Sequence, residues 1–336
     1  MKAIVCTKYG APDVLQLKEV GRPTPKEDEA LVKVHAASVN AADVEILRGT
    51  WVARFGGPLR PQHKIPGSDI AGTVEAVGRN AKQFQPGDEV FGDLFESGFG
   101  GFAEHVCARE NALALKPANV TWEEAAAVPQ AALVALQGLR DKGQIRPGQK
   151  VLINGAGGGV GTFAVQIGRY FGAEVPGVPS TKKLDMLRSI GADHVIDYTK
   201  QDFTKGGQRY DLILDVVARR SIFAYRRALN PDGVCLFVGG STATVFQALL
   251  LGPLISRTGS QKMGIVMWKP NEREDLALLA ELFEAGKVVP VIDRRYPLSE
   301  VPEALRYLQD EPHLGKIVIT MRVGVTSART TSRLFS

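Results

Sequence analysis

The sequence predicts an α/β fold in which a small β-barrel adjoins a doubly wound parallel sheet, and three observations predict it. Short alternating strands fill the first third of the chain, punctuated by Pro-Gly turns. From Val151 onward apolar strands and amphipathic helices take turns. A cluster of glycines lies between the first of those strands and its helix.

The segments 30–37 (ALVKVHAA) and 72–77 (GTVEAV) alternate apolar and polar residues, the period of a half-buried strand. Gly56-Gly57-Pro58, Pro66-Gly67 and Pro86-Gly87-Asp88 separate such runs. In a Pro-Gly pair the proline pre-sets φ at one central position and the glycine supplies a positive φ at the next, as a type II turn requires. Short strands at this spacing predict a small antiparallel barrel. The stretch 121–139 turns helical, with Thr121 and Glu124 spaced as a capping box, and Pro147-Gly148 follows it. Next come the strand VLIN, a helix over about 160–171, the strand AEVPGV, a helix over 182–190, and the strands HVID, DLILDVV and GVCLFVG. Apolar strands joined by helices signal a parallel sheet covered on both faces. A late helix is expected with Asn271 as its cap, Glu274 at the box position, Leu276, Leu279, Ala280 and Phe283 on one face, and Gly286 closing it. VVPVID, a short helix near 303–308 and GKIVIT complete the fold, and the Thr/Ser/Arg-rich tail 323–336 is expected to be disordered.

Composition limits the functions open to the chain. At 336 residues and 44% hydrophobic it has length for about two domains, each with a core. Cys6, Cys107 and Cys235 lie far apart, which argues against a disulfide framework or a Cys-rich zinc module and for a reducing, cytoplasmic setting. The 41 basic and 36 acidic residues are spread along the chain, not gathered on one stripe with interleaved aromatics, so no nucleic-acid partner is expected. The longest apolar run, 244–255, is interrupted by Gln247 and Gly252-Pro253 and falls short of the ~20 residues of a membrane span. Met1 runs straight into KAIVCTKYG, and no leader peptide is expected.

The strongest chemical signal is 151–161, VLINGAGGGVG. Gly155, Gly157, Gly158 and Gly159, with Val160 opening the helix, stand where a chain must turn tightly and let backbone approach a diphosphate. The helix N-terminus then presents free N–H groups to that anion. The second strand decides between dinucleotides. It ends at Pro179-Ser180-Thr181-Lys182-Lys183, and the next acid, Asp185, is already in the following helix. An NAD site places an acid there for the ribose hydroxyls. Its lack, with Ser180 and Lys183 able to bind a 2′-phosphate through charge-assisted hydrogen bonds, points to NADP(H); a solvated lysine pair is the plainer alternative.

In order and spacing, KAIV, HAASVNAAD, FQPGDEVFGD, GGFAEHV, NGAGGGVG, GADHVIDY and GKIVIT resemble the medium-chain dehydrogenase/reductase family over nearly the whole chain. The likeness is to its zinc-free quinone oxidoreductase branch, which includes zeta-crystallin. The resemblance implies a Rossmann domain (126–271) inserted in a GroES-like catalytic domain (1–125, with a return at 272–322). The nucleotide would lie in the cleft between them. It implies Ser180, Lys183 and Tyr198 around the 2′-phosphate, with Val216, Gly239, Trp268 and Lys316 completing the cofactor set. Lys316 stands at the cleft side, open to cofactor or substrate. A homodimer formed through an edge strand at 264–268 is also implied. Two departures stand out: Asp215-Val216-Val217-Ala218 replaces the relatives' Asn-Val-Gly after the aspartate, and Pro176 falls within a strand that should be internal, where it cannot donate a ladder bond.

Alcohol dehydrogenases of the superfamily carry a Cys where this chain has Asn40 and a His-Glu pair where it has Ser68-Asp69. No metal is therefore expected. What remains is hydride transfer from NADPH to an electron-poor acceptor, a small-molecule quinone or a conjugated C=C. Asn40 is the candidate donor to the developing oxyanion, with Asp43 orienting it; equally, Asn40 caps the helix that begins at Ala41. Trp51 stands where related enoyl-thioester reductases place a proton-donating tyrosine. An indole N–H is no proton acid near neutrality, which weakens that reading. Trp51 then serves as a wall for a flat acceptor or as ordinary packing. Reduction of an enone or enal double bond is the alternative activity, and an NADPH-binding interaction protein with little turnover is the non-enzymatic one.

Overall fold

Two hydrophobic patterns, alternating near the N-terminus and continuous in the middle, sort the chain into two main sheets. The computed structural model describes residues 1–54 and 57–321, so the expected tail 323–336 lies outside the described residues. The first unit begins with the antiparallel pair β1 (Lys2–Cys6) and β2 (Leu15–Glu19), followed by β3 (Glu29–Val39), α1 (Ala41–Arg48) and α2 (Trp51–Arg54). It continues with β4 (Asp69–Val77), β5 (Glu89–Asp93), β6 (His105–Arg109) and β7 (Ala114–Leu115). Alternation in β3 is blurred because the strand is central: Leu31 is buried along with Ala30 and Val32, and β3 pairs with both β4 and β6.

Helices α3 (Trp122–Ala126) and α4 (Pro129–Gln137) lead into the second unit. Thr121 and Glu124 form the expected capping box, and Pro129, at the first position of α4, splits the predicted helical stretch in two. Then follow β8 (Val151–Asn154), α5 (Gly159–Tyr170), β9 (Pro176–Val178), α6 (Leu184–Ser189), β10 (His194–Val195), β11 (Tyr210–Asp215), α7 (Ile222–Ala228), β12 (Leu229–Phe237), α8 (Thr242–Thr258) and β13 (Lys262–Ile265). Their sheet runs β10-β9-β8-β11-β12-β13, parallel throughout. From β8 the chain first winds outward through β9 and β10, then returns to β11 on the other side. That reversal opens a crevice at the carboxyl ends of β8 and β11, the place where such sheets bind ligands. Finally α9 (Arg273–Glu284), β14 (Ile292–Pro297), α10 (Val301–Asp310) and β15 (Lys316–Thr320) return to the first sheet, whose order is β14-β15-β3-β4-β5-β7 with β6 also on β3.

Several expectations are corrected. Asn271 does not cap α9. It sits at φ 61° and spends its amide on the backbone of Asp93 (2.7 and 3.1 Å), while Glu272 takes the cap position. The strand expected at 288–293 starts only at Ile292, after Pro290. Pro176 does not fall inside a strand but opens one: β9 is three residues long, and at its first position a missing N–H is tolerated. Helices α7 and α8 were not foreseen. The apolar run 244–255 belongs to α8, which carries Pro253 in its interior.

Candidate functional site

The apolar strand β8 delivers the chain to a turn that only glycine can make at two points. Gly155 has φ 81°, and a Cβ on Gly161 would stand 2.2 Å from the Gly155 carbonyl oxygen. Gly158 takes the cap position of α5, and a helix start such as Gly159 and Val160 is where backbone N–H groups can meet an anion. Two lysines flank the turn. Lys183 Cδ lies 2.4 Å from where a Gly157 Cβ would be, and Lys316 Cδ lies 2.9 Å from the equivalent point on Gly159. The segment leading into β15 crosses the turn from the first unit. Gly315 N–H donates to the Gly157 carbonyl at 3.0 Å, and the Lys183 ammonium donates to the His313 and Gly157 carbonyls.

Beyond β9 the Ser180 hydroxyl oxygen is buried and has no partner among the described residues. Tyr198 joins this corner through its N–H on the Pro179 carbonyl (3.1 Å), with its ring largely exposed. Burial pushes the Lys183 amine below its usual range. The orphaned Ser180 hydroxyl suits a phosphate oxygen, whereas the Lys183 ammonium is turned to the glycine turn, on the His313 and Gly157 carbonyls, and is not brought to Ser180. At the carboxyl ends of β11 and β12, Val216 N–H reaches the Asn154 carbonyl (3.0 Å) and the Gly239 carbonyl accepts from Ala218 (3.1 Å). The 215–218 departure keeps a closed turn: Asp215 accepts from Asn154 Nδ2 (2.8 Å) and from Val217 N–H (2.9 Å), leaving the Val217 side chain half exposed.

Next to the turn, a polar cluster lies where β3, β4, α4 and β15 meet. Asp69 is fully buried. Its Oδ2 accepts from Ser38 Oγ (3.0 Å), Asn40 Nδ2 (2.9 Å) and Lys316 Nζ (3.2 Å), and its Oδ1 accepts from Gln130 N–H (3.1 Å) in the first turn of α4. Lys316, 3% exposed, also donates to Asn40 Oδ1 at 2.5 Å. Donor counting then changes the expected roles. The Asn40 amide hydrogens point at Asp69 and at Ser68 Oγ (3.4 Å), whereas Lys316 has three N–H groups and uses two among the described residues. Asp43 accepts the Asn40 backbone N–H at 2.8 Å, and Asn40 takes the cap position of α1 in a capping box with Asp43, the second of the two roles expected for it, while its Oδ1 also meets Lys316. Burial, with a further push from the Asp69 charge, raises the Asp43 and Asp93 carboxyls to about 7.

The remaining candidates sit elsewhere. Trp51 opens α2, and its side chain lies outside the described part. Trp268 packs against Phe95 of the first unit at 5.2 Å between ring centres. A cavity of about 450 Å³ lined by Glu96, Arg109, Asn271 and Glu274 shares no residue with the cluster. Sequence reasoning missed Ser38 and Gln130, read His313 only as a surface or hydrogen-bonded histidine, and treated Ser68-Asp69 only as replaced zinc ligands. The turn Pro66-Gly67 just before a strand-opening Asp69 was the one available signal.

Comparison with known proteins adds to this geometry. Residues 26–118 match the model described as alcohol dehydrogenase GroES-like domain, and residues 190–319 match zinc-binding dehydrogenase. The chain is 35% identical over 330 residues to the 2-methylene-furan-3-one reductase of Solanum lycopersicum, covering 95% of this chain and 79% of that one. It is 31% identical to the quinone oxidoreductase of Homo sapiens over 90% of this chain and 92% of that one. The solved structure of Escherichia coli quinone oxidoreductase complexed with NADPH superposes with a TM-score of 0.84 at 26% identity, over 95% of this chain and all of that one.

The chain belongs to the medium-chain dehydrogenase/reductase family. Within that family it is of the quinone oxidoreductase-like kind. Zinc does not suit its cluster: Asn40, Ser68 and Asp69 offer an amide, a hydroxyl and one carboxylate, with no sulfur or imidazole and an ammonium already among them. In this member of the dehydrogenase/reductase family the positive charge within the cluster is carried by Lys316.

Proposed function

We propose that the chain is an NADP(H)-dependent oxidoreductase that reduces a quinone, or another carbonyl-conjugated acceptor, by direct hydride transfer. One observation carries the reading: the Lys316 stem passes the first residue of α5 while its ammonium, with one N–H uncommitted among the described residues, is held by Asn40 and Asp69. A dinucleotide turn and an oxyanion donor thus share one side chain.

Bound NADPH supplies a hydride from its nicotinamide ring. The chain's own residues do the rest. The N–H groups opening α5 hold the diphosphate, and Ser180, Lys183 and Tyr198 hold the 2′-phosphate. As the acceptor takes up the hydride, negative charge collects on its oxygen, and Lys316 stabilises that charge and then gives it a proton. The amine regains its proton from water. Asn40 and Asp69 keep the ammonium in place between turnovers, and Asp43 holds Asn40 through its backbone. A conjugated enone is served by the same arrangement, and the name of the tomato relative favours it as the second reading.

The edge strand expected at 264–268 is β13, Lys262–Ile265, and a homodimer built on it fits a strand that among the described residues pairs only with β12. A reducing, cytoplasmic compartment fits three cysteines that are all unpaired, in a chain with no described helix long and apolar enough to cross a membrane. The test is NADPH oxidation, followed by absorbance, with phenanthrenequinone and separately with an acyclic enone. Oxidation by either supports the reading. Tight NADPH binding with no oxidation by any acceptor overturns it in favour of a binding protein.

A further inference from the structure

A run of aromatic rings, half-exposed at Phe95, Phe99 and Trp268 and exposed at His63, has no role in the chemistry above. Phe95 meets Phe99 edge-on at 5.4 Å and 65°, Phe95 meets Trp268 at 5.2 Å, and Phe99 meets His63 at 5.5 Å. Phe95 and Phe99 come from the loop after β5, and Trp268 comes from the segment after β13, so the run bridges the two units.

Three features set this run apart from ordinary packing. First, the loop is tied to the backbone that carries the cluster: Leu94 N–H donates to the Ser68 carbonyl (2.8 Å), and Gly101 and Phe102 donate to the carbonyls of Gly67 (2.9 Å) and Pro66 (3.0 Å). Second, Phe99 adopts φ 63° between Gly98 at 100° and Gly100 at 105°. A bulky residue rarely takes that conformation, and such strain gathers at sites that grip ligands. Third, the Trp268 indole N–H is buried without a partner among the described residues, a donor that an acceptor oxygen would complete. On the other side, Trp268 is fixed by the bonds of its neighbour Lys269 to Gln137 of α4 (2.7 and 2.9 Å).

We propose that Phe95 and Phe99, bounded by Trp268 and His63, form the recognition wall for the acceptor and select a flat conjugated ring over an open-chain enone. The proposal rests on the reductase reading and names the substrate class within it. A ring lying on this wall gains stacking contacts that a short aliphatic chain cannot make.

The test is the ratio of kcat/KM for phenanthrenequinone to that for an acyclic enone. Phe99→Leu and Phe95→Leu, which keep apolar bulk and remove the ring, should each lower this ratio about 3- to 10-fold. A ratio unchanged in both variants, or equal losses for the two acceptors, overturns the proposal. Melting curves show whether each variant folds, and either variant suffices. Affinity of the NADP⁺-loaded protein for phenanthrenequinone, measured by calorimetry, keeps the two readings apart. Wild-type binding that Phe99→Leu weakens supports the wall even where turnover fails, and failed turnover counts against the reductase reading alone. Wild-type protein that turns over both acceptors but binds the ring no better than Phe99→Leu removes the wall and leaves the reductase.

Discussion

Replacing Lys316 by Met removes the ammonium and keeps most of the apolar stem. Asp69 is then a fully buried carboxylate without its counter-ion, and breaking a buried pair this way costs about 3–5 kcal/mol. Asp69 retains three donors, Ser38 Oγ, Asn40 Nδ2 and Gln130 N–H, which places the expected loss near the lower end, about 3 kcal/mol. Adding Asp69→Asn leaves no charge behind and should recover part of it. Recovery stays incomplete, because an amide cannot accept from Gln130 N–H and from the other two donors at once. Urea denaturation read by fluorescence measures both losses. Catalysis should separate from stability: kcat for either acceptor falls about 10²- to 10³-fold in both the single and the double variant. NADPH affinity moves far less, since the ammonium is spent on Asn40 and Asp69 and not on the glycine turn. A double variant that regains stability and also turns over like wild type would refute the role given to Lys316.

Further outcomes follow from the same geometry. Ser180→Asp with Lys183→Ala should weaken NADPH binding by about 10- to 100-fold and NADH binding much less, the range set by one or two charged hydrogen bonds; equal losses in a fluorescence titration would remove the 2′-phosphate site. Gly161→Ala drives a methyl into backbone 2.2 Å away and should cost about 1–3 kcal/mol, while Gly158→Ala, whose nearest neighbour stands at 3.6 Å, should melt close to wild type. Matching melting temperatures for the two would contradict the packing of the turn. Asp43 and Asp93 have folded pKa values raised to about 7 from 3.8, so between those values the native state holds more protons than the unfolded chain. Their contribution to stability is therefore complete below about pH 4 and is lost as pH rises through 7. Asp43→Asn should flatten that decline in denaturation midpoints measured across the window, and an unaltered slope would rule it out.

The division into a barrel-like unit and a parallel sheet was legible because β-alternation and buried apolar runs are local patterns. Thr121 and Glu124 announced their helix in the same way, through neighbours three apart. Helices α7 and α8 were hidden for physical reasons. IFAYRRA follows a serine cap with no strong polar face, and Gly252-Pro253 breaks the sequence pattern of a helix that tertiary packing sustains. Asn271 misled because its amide is claimed by Asp93, 178 residues away. The cluster was half legible. Asn40 and Lys316 were singled out, but their contact spans 276 positions and depends on β15 folding back beside β3. No local pattern announces that His313 and Gly315 close over the glycine turn.

Exchanging a metal for an ammonium changes which reactions the cleft suits. Zinc accepts electron pairs from an alcohol or ketone oxygen and lowers the cost of an alkoxide, so it serves reversible alcohol oxidation. A lysine stabilises negative charge over a shorter reach and then transfers a proton, which a metal ion cannot do itself. On the proposed reading its place between Asn40 Oδ1 and Asp69 Oδ2 matters, because two acceptors hold the ammonium and among the described residues no third one claims it, which would leave an N–H for an oxygen that gains charge only as hydride arrives. An acceptor that already delocalises its charge, a quinone or a conjugated carbonyl, needs no more help than this. A simple ketone would, and on this reasoning phenanthrenequinone should be reduced at least 10³-fold faster, in kcat/KM, than a saturated cyclic ketone of similar size, about the worth of one to two well-aimed electrostatic contacts. Comparable rates for the two would mean that a stronger electrophilic aid than Lys316 acts in the cleft.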